Sequence, residues 1–246
     1  MKIAVLGGTG LIGSQVVRIL EADGHDVASL SPESGVDLIT GDGLDQGFKG
    51  VDVVINLTNS RTFDEASIGW FRTSMDNMVE AAAREGVGHA VILSIIGVDQ
   101  VPGLDYYRAK VLQEDILKAG AVPWSIVRAG QFFEFVKSVL AMTTEGDTVR
   151  LPATPVQPLA SADIARAVAE VAVGRPLMGV RNVAGPEVFA LDELGRMALA
   201  GTGDPRTVVT DPAAGMFAAV PGRVLTAPEG ATLATTTFRE WLARQK

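Results

Sequence analysis

The chain has 246 residues, a mean hydropathy of +0.25, and 21 basic against 29 acidic residues, which gives a formal net charge of −8. A chain of this length can bury a large core, whereas its acidic balance argues against binding to a nucleic-acid backbone. Cysteine is absent and the two histidines, His25 and His89, lie far apart, so the sequence predicts no disulfide and no metal site.

The N-terminal segment lacks the pattern of a secretion signal. Its short apolar run is interrupted by Gly7 and Gly8, whereas a signal peptide needs a longer apolar core and a cleavage site of small residues. No stretch approaches the ~18 apolar residues of a membrane span. We therefore expect a cytoplasmic protein with no membrane partner.

Strand-like apolar runs alternate with helical periodicity over the first 150 residues. Short, nearly continuous apolar strands separated by helices predict a parallel sheet covered on both faces, which is a doubly wound, Rossmann-like α/β fold. The predicted strands are residues 2–7, 25–30, 35–40, 51–58, 89–94 and 123–130, and the predicted helices are residues 11–24, 64–85 and 104–119.

The pattern changes after about residue 150. Pro152, Pro155 and Pro158 indicate irregular chain, and only a few elements follow, among them a helix over residues 161–174. We expect an NAD(P)-binding core over residues 1–150 and a small C-terminal α+β part, residues 151–246, which packs on the core and binds a small-molecule substrate.

The stretch "GGTGLIG", residues 7–13, lies between the first predicted strand and the first predicted helix. This is the context in which a glycine motif indicates dinucleotide binding. Gly7 permits the tight turn, Gly10 lets the backbone approach a pyrophosphate, and Gly13 lets the helix pack closely on the strand. The N-terminus of the helix then offers unpaired N–H groups to the diphosphate.

The choice between NAD and NADP depends on the end of the second strand. In NAD-binding chains an acidic residue there bonds the ribose 2′-hydroxyl. Here Ser29, Ser31 and Pro32 occupy this region, and Glu33 lies slightly beyond it. Because serine can bond a 2′-phosphate, we predict NADP with Ser31 as a contact and keep NAD as the alternative. Glu33 counts against a phosphate if it points inward.

Several motifs together resemble one known family. They are "GGTGLIG", "NLT", "LSIIGVD", "YYRAK" and "PWSIVRAGQFFEF". The chain resembles the short-chain dehydrogenase/reductase superfamily over essentially its whole length, and most closely the atypical NmrA-like branch of NAD(P)-binding proteins. This branch contains both reductases and catalytically silent redox sensors.

The resemblance implies a cofactor site around the glycine turn. The backbone at Thr9, Leu11 and Ile12 is expected to hold the pyrophosphate, and Asp42 to meet the adenine amine. Residues 57–59 are expected to line the adenosine side. The whole predicted cofactor-binding set is Gly7, Thr9, Gly10, Leu11, Ile12, Gly13, Ser31, Asp42, Leu57, Thr58, Asn59 and Lys110.

The resemblance also implies a catalytic set of Ser94, Tyr106 and Lys110. Free tyrosine titrates near pH 10, and a neighbouring ammonium lowers that pKa. On a helix, Tyr106 and Lys110 are at positions i and i+4 and lie on one face. We therefore predict Tyr106 as the general acid, Lys110 as the cation that tunes it and bonds the ribose, and Ser94 as the donor that orients the substrate oxygen. Tyr107, at i and i+3, is the alternative tyrosine.

Two functions follow as hypotheses, whereas a third, sugar-nucleotide epimerisation, is disfavoured because the C-terminal part is short for a sugar-nucleotide pocket. The first is an NAD(P)H-dependent oxidoreductase that transfers hydride to a small carbonyl, a quinone or an activated double bond, with Tyr106 as general acid. The second is a non-catalytic NADP(H)-binding redox sensor that docks on a partner protein. The sequence predicts neither the substrate nor the oligomeric state.

Overall fold

The computed structural model describes residues 1–245, and the chain divides into two compact units. The first unit is Met1–Arg128 together with Ile164–Arg181, and the second is Ala129–Asp163 together with the chain from Asn182 onward. No helix within residues 1–245 combines the length and the apolar character needed to cross a membrane.

Strands and helices alternate along the first part of the chain, and 3₁₀ turns lie at Pro32–Ser34 and Val98–Gln100. The alternation is the one that the apolar runs predict. The elements are β1 (Lys2–Leu6), α1 (Gly13–Ala22), β2 (Asp26–Leu30), α2 (Leu44–Phe48), β3 (Val53–Asn56), α3 (Ala66–Arg84), β4 (His89–Ile95), α4 (Asp105–Ala119) and β5 (Trp124–Ala129).

The remaining elements are shorter, and two further 3₁₀ turns lie at Phe133–Phe135 and Met216–Ala219. They are α5 (Val136–Met142), β6 (Thr144–Glu145), β7 (Thr148–Leu151), β8 (Pro155–Val156), α6 (Ser161–Val173), β9 (Gly179–Ala184), β10 (Phe189–Ala190), α7 (Leu191–Thr202), β11 (Thr207–Thr210), β12 (Thr232–Leu233) and α8 (Phe238–Ala243).

A seven-stranded sheet has the order β12-β9-β5-β4-β3-β1-β2. Strand β1 pairs in parallel with β2 on one side and with β3 on the other, so that Ile3 is level with both Val27 and Val53. The chain therefore reverses its direction of travel across the sheet between β2 and β3. Ligands bind at such a reversal, outside the carboxyl ends of the strands. The predicted doubly wound α/β fold is confirmed.

Burial explains why these segments form a parallel sheet. All four residues of β3 are buried, as parallel strands covered on both faces require. Helix α3 buries Phe71, Met75, Met78 and Ala82, which recur at intervals of three or four residues and form one apolar face. Met75, Met78 and Ala82 of α3 belong to the same apolar core as Leu6 of β1 and Val54 of β3.

The predicted strand over residues 35–40 is wrong. Gly35 has a φ of 82°, and the Asp37 carboxylate accepts hydrogen bonds from the backbone N–H groups two and three residues later, at 2.6 and 3.3 Å. Val36 and Leu38 are both buried, so the apolar residues of this segment lie in the core although it forms no strand. The segment forms a side-chain-capped turn because its backbone donors bond to Asp37 instead of a neighbouring strand.

The observed units do not follow the predicted boundary at residue 150. The second unit begins at Ala129, and α6, which was predicted in the C-terminal part, lies in the first unit. Helix α6 buries Ile164 and Val168 completely, so the chain returns to the first unit to cover apolar surface before it leaves again. The prolines after residue 150 lie within the second unit and do not separate the two.

Candidate functional site

The glycine turn after β1 has a shape that only glycine permits at two positions. Gly7 has a φ of 75°, its N–H donates to the Leu30 carbonyl (3.1 Å), and its carbonyl accepts from the Gly10 N–H (3.0 Å). A Cβ atom on Gly13 would lie 2.1 Å from the Gly7 carbonyl oxygen. Any side chain at position 13 would push α1 away from the end of β1.

Gly8 and Gly10 differ in a way that the motif spacing did not indicate. A Cβ on Gly8 would lie 2.3 Å from the Ser29 hydroxyl oxygen, so Gly8 allows β2 to approach the turn. A Cβ on Gly10 would meet only the Gly7 carbonyl, at 3.3 Å, so the other side of Gly10 is open. The first N–H groups of α1 have no partner within the helix. This open cradle fits a dinucleotide pyrophosphate.

The segment after β3 lies against the same turn. A Cβ on Gly7 would contact the Leu57 carbonyl and the Thr58 methyl group at 3.2 Å. The Leu57 N–H donates to the Leu6 carbonyl (3.0 Å), and the Thr58 hydroxyl and N–H both donate to the Asn56 side-chain oxygen (2.6 and 3.0 Å). The structure thus brings Leu57 and Thr58 beside the cradle, and the buried Asn56, which the sequence did not single out, holds them there.

Ser31 and Asp42 already have partners in turns of the protein. A hydrogen bond from the Ser31 side chain holds the pKa of the exposed Glu33 carboxyl below its usual value. The Asp42 carboxylate accepts a hydrogen bond from the Thr40 hydroxyl at 2.8 Å. A carboxylate therefore stands next to the serine that was predicted to contact a 2′-phosphate.

Tyr106 lies in the first turn of α4 and is almost fully buried. Its hydroxyl donates to the Asn59 side-chain oxygen at 2.8 Å, and its ring packs edge-on against Phe63, with the ring centres 4.9 Å apart. Burial raises the pKa of Tyr106 to about 12, and the bond to Asn59 offsets only part of this effect. The prediction of a lowered tyrosine pKa is therefore wrong, because burial dominates.

Lys110 is also buried, and its ammonium makes no hydrogen bond to Tyr106 within the described part of the chain. Its ammonium donates to the Leu93 carbonyl (2.7 Å) and to Gln113, and it lies 5.0 Å from the centre of the Phe71 ring. Burial lowers the pKa of Lys110 to about 7, while the charge of Glu114 acts in the opposite direction. The i, i+4 spacing places Lys110 on the correct face of α4, but its ammonium bonds to β4 and not to the tyrosine.

Ser94 lies at the same stretch of β4 and is buried. Its hydroxyl has no hydrogen-bond partner of ordinary geometry among residues 1–245, although it lies close enough to Glu114 to help lower that carboxyl's pKa. Glu114 follows Tyr106 by eight residues, which is about 12 Å along a helix. The structure therefore brings Tyr106 together with Asn59 and places Ser94 beside Glu114.

Glu114 belongs to a buried ion pair that the sequence did not reveal. Arg128 donates to both carboxylate oxygens of Glu114, at 2.7 and 2.8 Å, and also to Asp99 at 2.9 Å. Burial alone raises the pKa of Glu114, but the bonds from Arg128, the nearby Ser94 hydroxyl and the charges of Arg128 and Lys118 lower it overall. A glutamate four residues after Lys110, on the inward face of α4, was the available signal.

The part of the chain that the structure describes contains no group of three or more acidic or histidine side chains that could hold a metal ion.

A family model described as NAD(P)H-binding matches residues 7–173 of the chain. The match spans the cradle, Tyr106 and Lys110, and it agrees with the predicted short-chain dehydrogenase/reductase resemblance. Among curated proteins, the photosystem II assembly factor Ycf39 of Cyanophora paradoxa is 26% identical over 151 residues, which are 54% of this chain and 46% of that protein. The chain thus spans about half the length of this curated relative.

Solved structures share the fold over most of the chain. An NADPH-dependent quinone oxidoreductase of Escherichia coli has a TM-score of 0.69 and 17% identity, and the alignment covers 99% of each chain. A dTDP-4-dehydrorhamnose reductase of Clostridium acetobutylicum has a TM-score of 0.70 and 20% identity over 86% of this chain and 84% of that chain. At these identities the likeness concerns the fold alone.

Proposed function

Because the chain belongs to the NAD(P)H-binding family, we propose that it is a nicotinamide-dependent oxidoreductase that passes hydride to a quinone or a similarly activated acceptor. The observation that carries the proposal is the glycine cradle at the carboxyl end of β1. A Cβ on Gly10 would meet only the Gly7 carbonyl oxygen, so the space in front of the N-terminus of α1 can admit a pyrophosphate. The bound nicotinamide supplies the hydride.

The acidity of Tyr106 favours an activated acceptor over an ordinary ketone. Reducing a ketone creates a strongly basic alkoxide, which needs a proton donor in the transition state. Tyr106, with a pKa near 12 and its proton directed at Asn59, is a weak acid in this position. Reduction of a quinone yields a phenolate-type oxygen, which a hydrogen bond can stabilise without full proton transfer. The quinone oxidoreductase that shares the fold supports this choice.

The position of Glu33 beside Ser31 favours NADH over NADPH. The predicted NADP preference rests on Ser31 as a partner for a 2′-phosphate, but the Ser31 side chain is close enough to the Glu33 carboxyl to lower its pKa, which keeps this carboxylate ionised at neutral pH. A phosphate there meets a like charge, whereas a 2′-hydroxyl meets a hydrogen-bond acceptor. NADH is therefore our proposed cofactor.

A second function, NAD(P)H sensing without catalysis, has its own support. The Lys110 ammonium bonds to Leu93 and Gln113, and the buried Ser94 hydroxyl lies beside Glu114, so neither group bonds to Tyr106 as the resemblance implies. Ycf39, to which half of this chain is similar, is an assembly factor by name. A sensor binds the cofactor but passes no hydride to an acceptor.

Two measurements on the whole chain test the proposal. Titration with NADH and NADPH should give a lower Kd for NADH, and the variant Glu33→Gln should reduce the ratio of the two Kd values by about threefold, a small effect because the charge is exposed and solvent screens it. NADH oxidation should then appear with benzoquinones and naphthoquinones. Tight NADH binding with no oxidation by any quinone, aldehyde or ketone in a broad panel contradicts the oxidoreductase and favours the sensor.

A further inference from the structure

We propose that Asn59 donates the hydrogen bond to the acceptor's oxygen and that Phe63 is the surface on which the acceptor's ring stacks. The sequence resemblance assigned Asn59 to the adenosine side of the cofactor and no role to Phe63. The proposal rests on the proposed reductase function, because it names the subsite that a planar quinone occupies next to Tyr106.

The orientation of the Asn59 amide is determined by a donor that cannot accept. The Ser60 backbone N–H lies 3.0 Å from the Asn59 side-chain oxygen. Because a backbone N–H only donates, the atom that it meets must be the amide oxygen and not the amide nitrogen. The same oxygen lies 2.8 Å from the Tyr106 hydroxyl.

This orientation determines the direction of the tyrosine proton. An amide oxygen only accepts, so the Tyr106 hydroxyl donates its single proton to Asn59. The tyrosine then has no proton to offer a second acceptor. The Asn59 amino group, by contrast, has two N–H bonds. Neither donates a hydrogen bond to an acceptor within residues 1–245, and the side chain is exposed. The donor available beside Tyr106 is therefore Asn59.

Phe63 is an exposed ring next to this donor. Its side chain is 41% exposed, and it is the one phenylalanine in residues 1–245 that reaches this level. Its edge-on contact with Tyr106 continues inward to the fully buried Phe71, whose ring lies 6.2 Å from that of Tyr106. Phe63 is thus the most exposed ring of this row. A planar ligand whose oxygen reaches Asn59 can cover the exposed ring.

The chemistry of the step matches this pair of residues. When bound, the reduced nicotinamide would supply a hydride, which carries two electrons and one proton. The quinone would take up this hydride to become a hydroquinone monoanion, and solvent water would supply the second proton to its anionic oxygen. A neutral N–H donor aimed at the oxygen stabilises the developing charge, a contribution typically worth 10²–10³-fold in turnover. A flat apolar ring nearby stabilises the planar acceptor by stacking.

The test is binding of 2-methyl-1,4-naphthoquinone to the full chain saturated with NAD⁺, which cannot transfer a hydride. We expect the variant Asn59→Asp to weaken quinone binding at least ~10-fold, since it keeps the oxygen that accepts from Ser60 and Tyr106 but replaces the N–H donor by an anionic oxygen. Phe63→Ala should weaken binding by a similar factor, and Phe63→Tyr should retain it.

The controls separate local from general effects. Val173→Ala removes another exposed apolar side chain of the first unit and should bind the quinone like the unsubstituted protein. The NAD⁺ affinity of each variant reports whether the fold and the cradle are intact. If Asn59→Asp and Phe63→Ala bind the quinone as tightly as the unsubstituted protein, the proposed subsite is wrong. It is also wrong if the unsubstituted protein does not bind the quinone.

The proposed function can fail separately. If the chain oxidises NADH with some other acceptor but does not bind the quinone, the oxidoreductase stands and the subsite falls. If the quinone binds through Asn59 and Phe63 but no acceptor is ever reduced, the subsite stands as a quinone-binding site and the oxidoreductase falls.

Discussion

The glycine turn and the tyrosine end of α4 lie in the same unit but are determined by different kinds of contact. At the turn, backbone atoms set the geometry, since a Cβ on Gly13 would lie 2.1 Å from the Gly7 carbonyl oxygen. At α4, side chains set it, and each has more than one neighbour to which it could bond. Tyr106 bonds to Asn59, and Lys110 bonds to Leu93 and Gln113.

The difference has a physical origin. A turn that requires glycine leaves no freedom to its neighbours, so the residue types determine the local structure directly. A lysine side chain has several rotatable bonds and takes whichever acceptor offers the best bond in its buried environment. The residue types alone therefore predict the conformation of the turn, whereas the side-chain contacts of α4 depend on the surrounding packing.

The largest effect should come from Gly13→Ala. The added methyl group overlaps the Gly7 carbonyl oxygen, which is backbone and cannot rotate away, so α1 must move from the end of β1. We expect NADH affinity to fall roughly 100-fold, which corresponds to about 3 kcal/mol. Fluorescence titration with NADH measures the change. Unaltered affinity would show that the cradle does not hold the cofactor.

Gly69→Ala provides the matched control for that substitution. Gly69 lies in the first turn of α3, and a Cβ there has nothing within 4 Å. Replacing a helical glycine by alanine should stabilise the fold by up to ~0.5–1 kcal/mol, with no change in NADH affinity. A loss of affinity in this variant as well would mean that the Gly13 effect is not specific to the turn.

An intermediate effect should come from Tyr106→Phe. A lost general acid usually costs 10²–10⁴-fold in turnover. Because the Tyr106 proton goes to Asn59 and its pKa is about 12, we expect a loss of only about tenfold with quinones, which reflects the looser Asn59 side chain. Steady-state kcat with a naphthoquinone checks this. A loss of 100-fold or more would restore Tyr106 as the acid and overturn the donor role of Asn59.

The fold and the turn were predictable because each rests on a local pattern. The order of strands and helices follows the apolar runs, and Gly7, Gly10 and Gly13 stand between a strand and a helix. The strand predicted over residues 35–40 does not form, because the Asp37 carboxylate accepts from a backbone N–H group that a strand would offer to its neighbour. Periodicity reports which side chains are buried, and it does not report where the backbone bonds go.

The catalytic set was predictable only as residue types on a face. Tyr106 and Lys110 share one face of α4, as their spacing requires, but spacing does not weigh burial against charge. Burial raises the tyrosine pKa and lowers the lysine pKa. The Glu114–Arg128 pair lies between distant segments and has no local signature. These outcomes depend on tertiary contacts that no window of the sequence contains.

The smallest effect should be a pH dependence of stability that Lys110 produces. In the unfolded chain a lysine titrates near pH 10.4, whereas in the folded protein the pKa of Lys110 is about 7. Between these values the unfolded state binds more protons, so the free energy of unfolding rises with pH from about 7 upward, and below pH 7 the cost of the buried charge is fully present.

The variant Lys110→Met has no such group, while all other titrating groups are common to both proteins. Thermal unfolding at pH 7 and pH 9 should therefore show the unsubstituted protein gaining about 2–4 °C in Tm relative to the variant. Parallel Tm profiles would mean that the bonds to Leu93 and Gln113 keep Lys110 charged throughout, which would make it a permanent cation beneath the tyrosine.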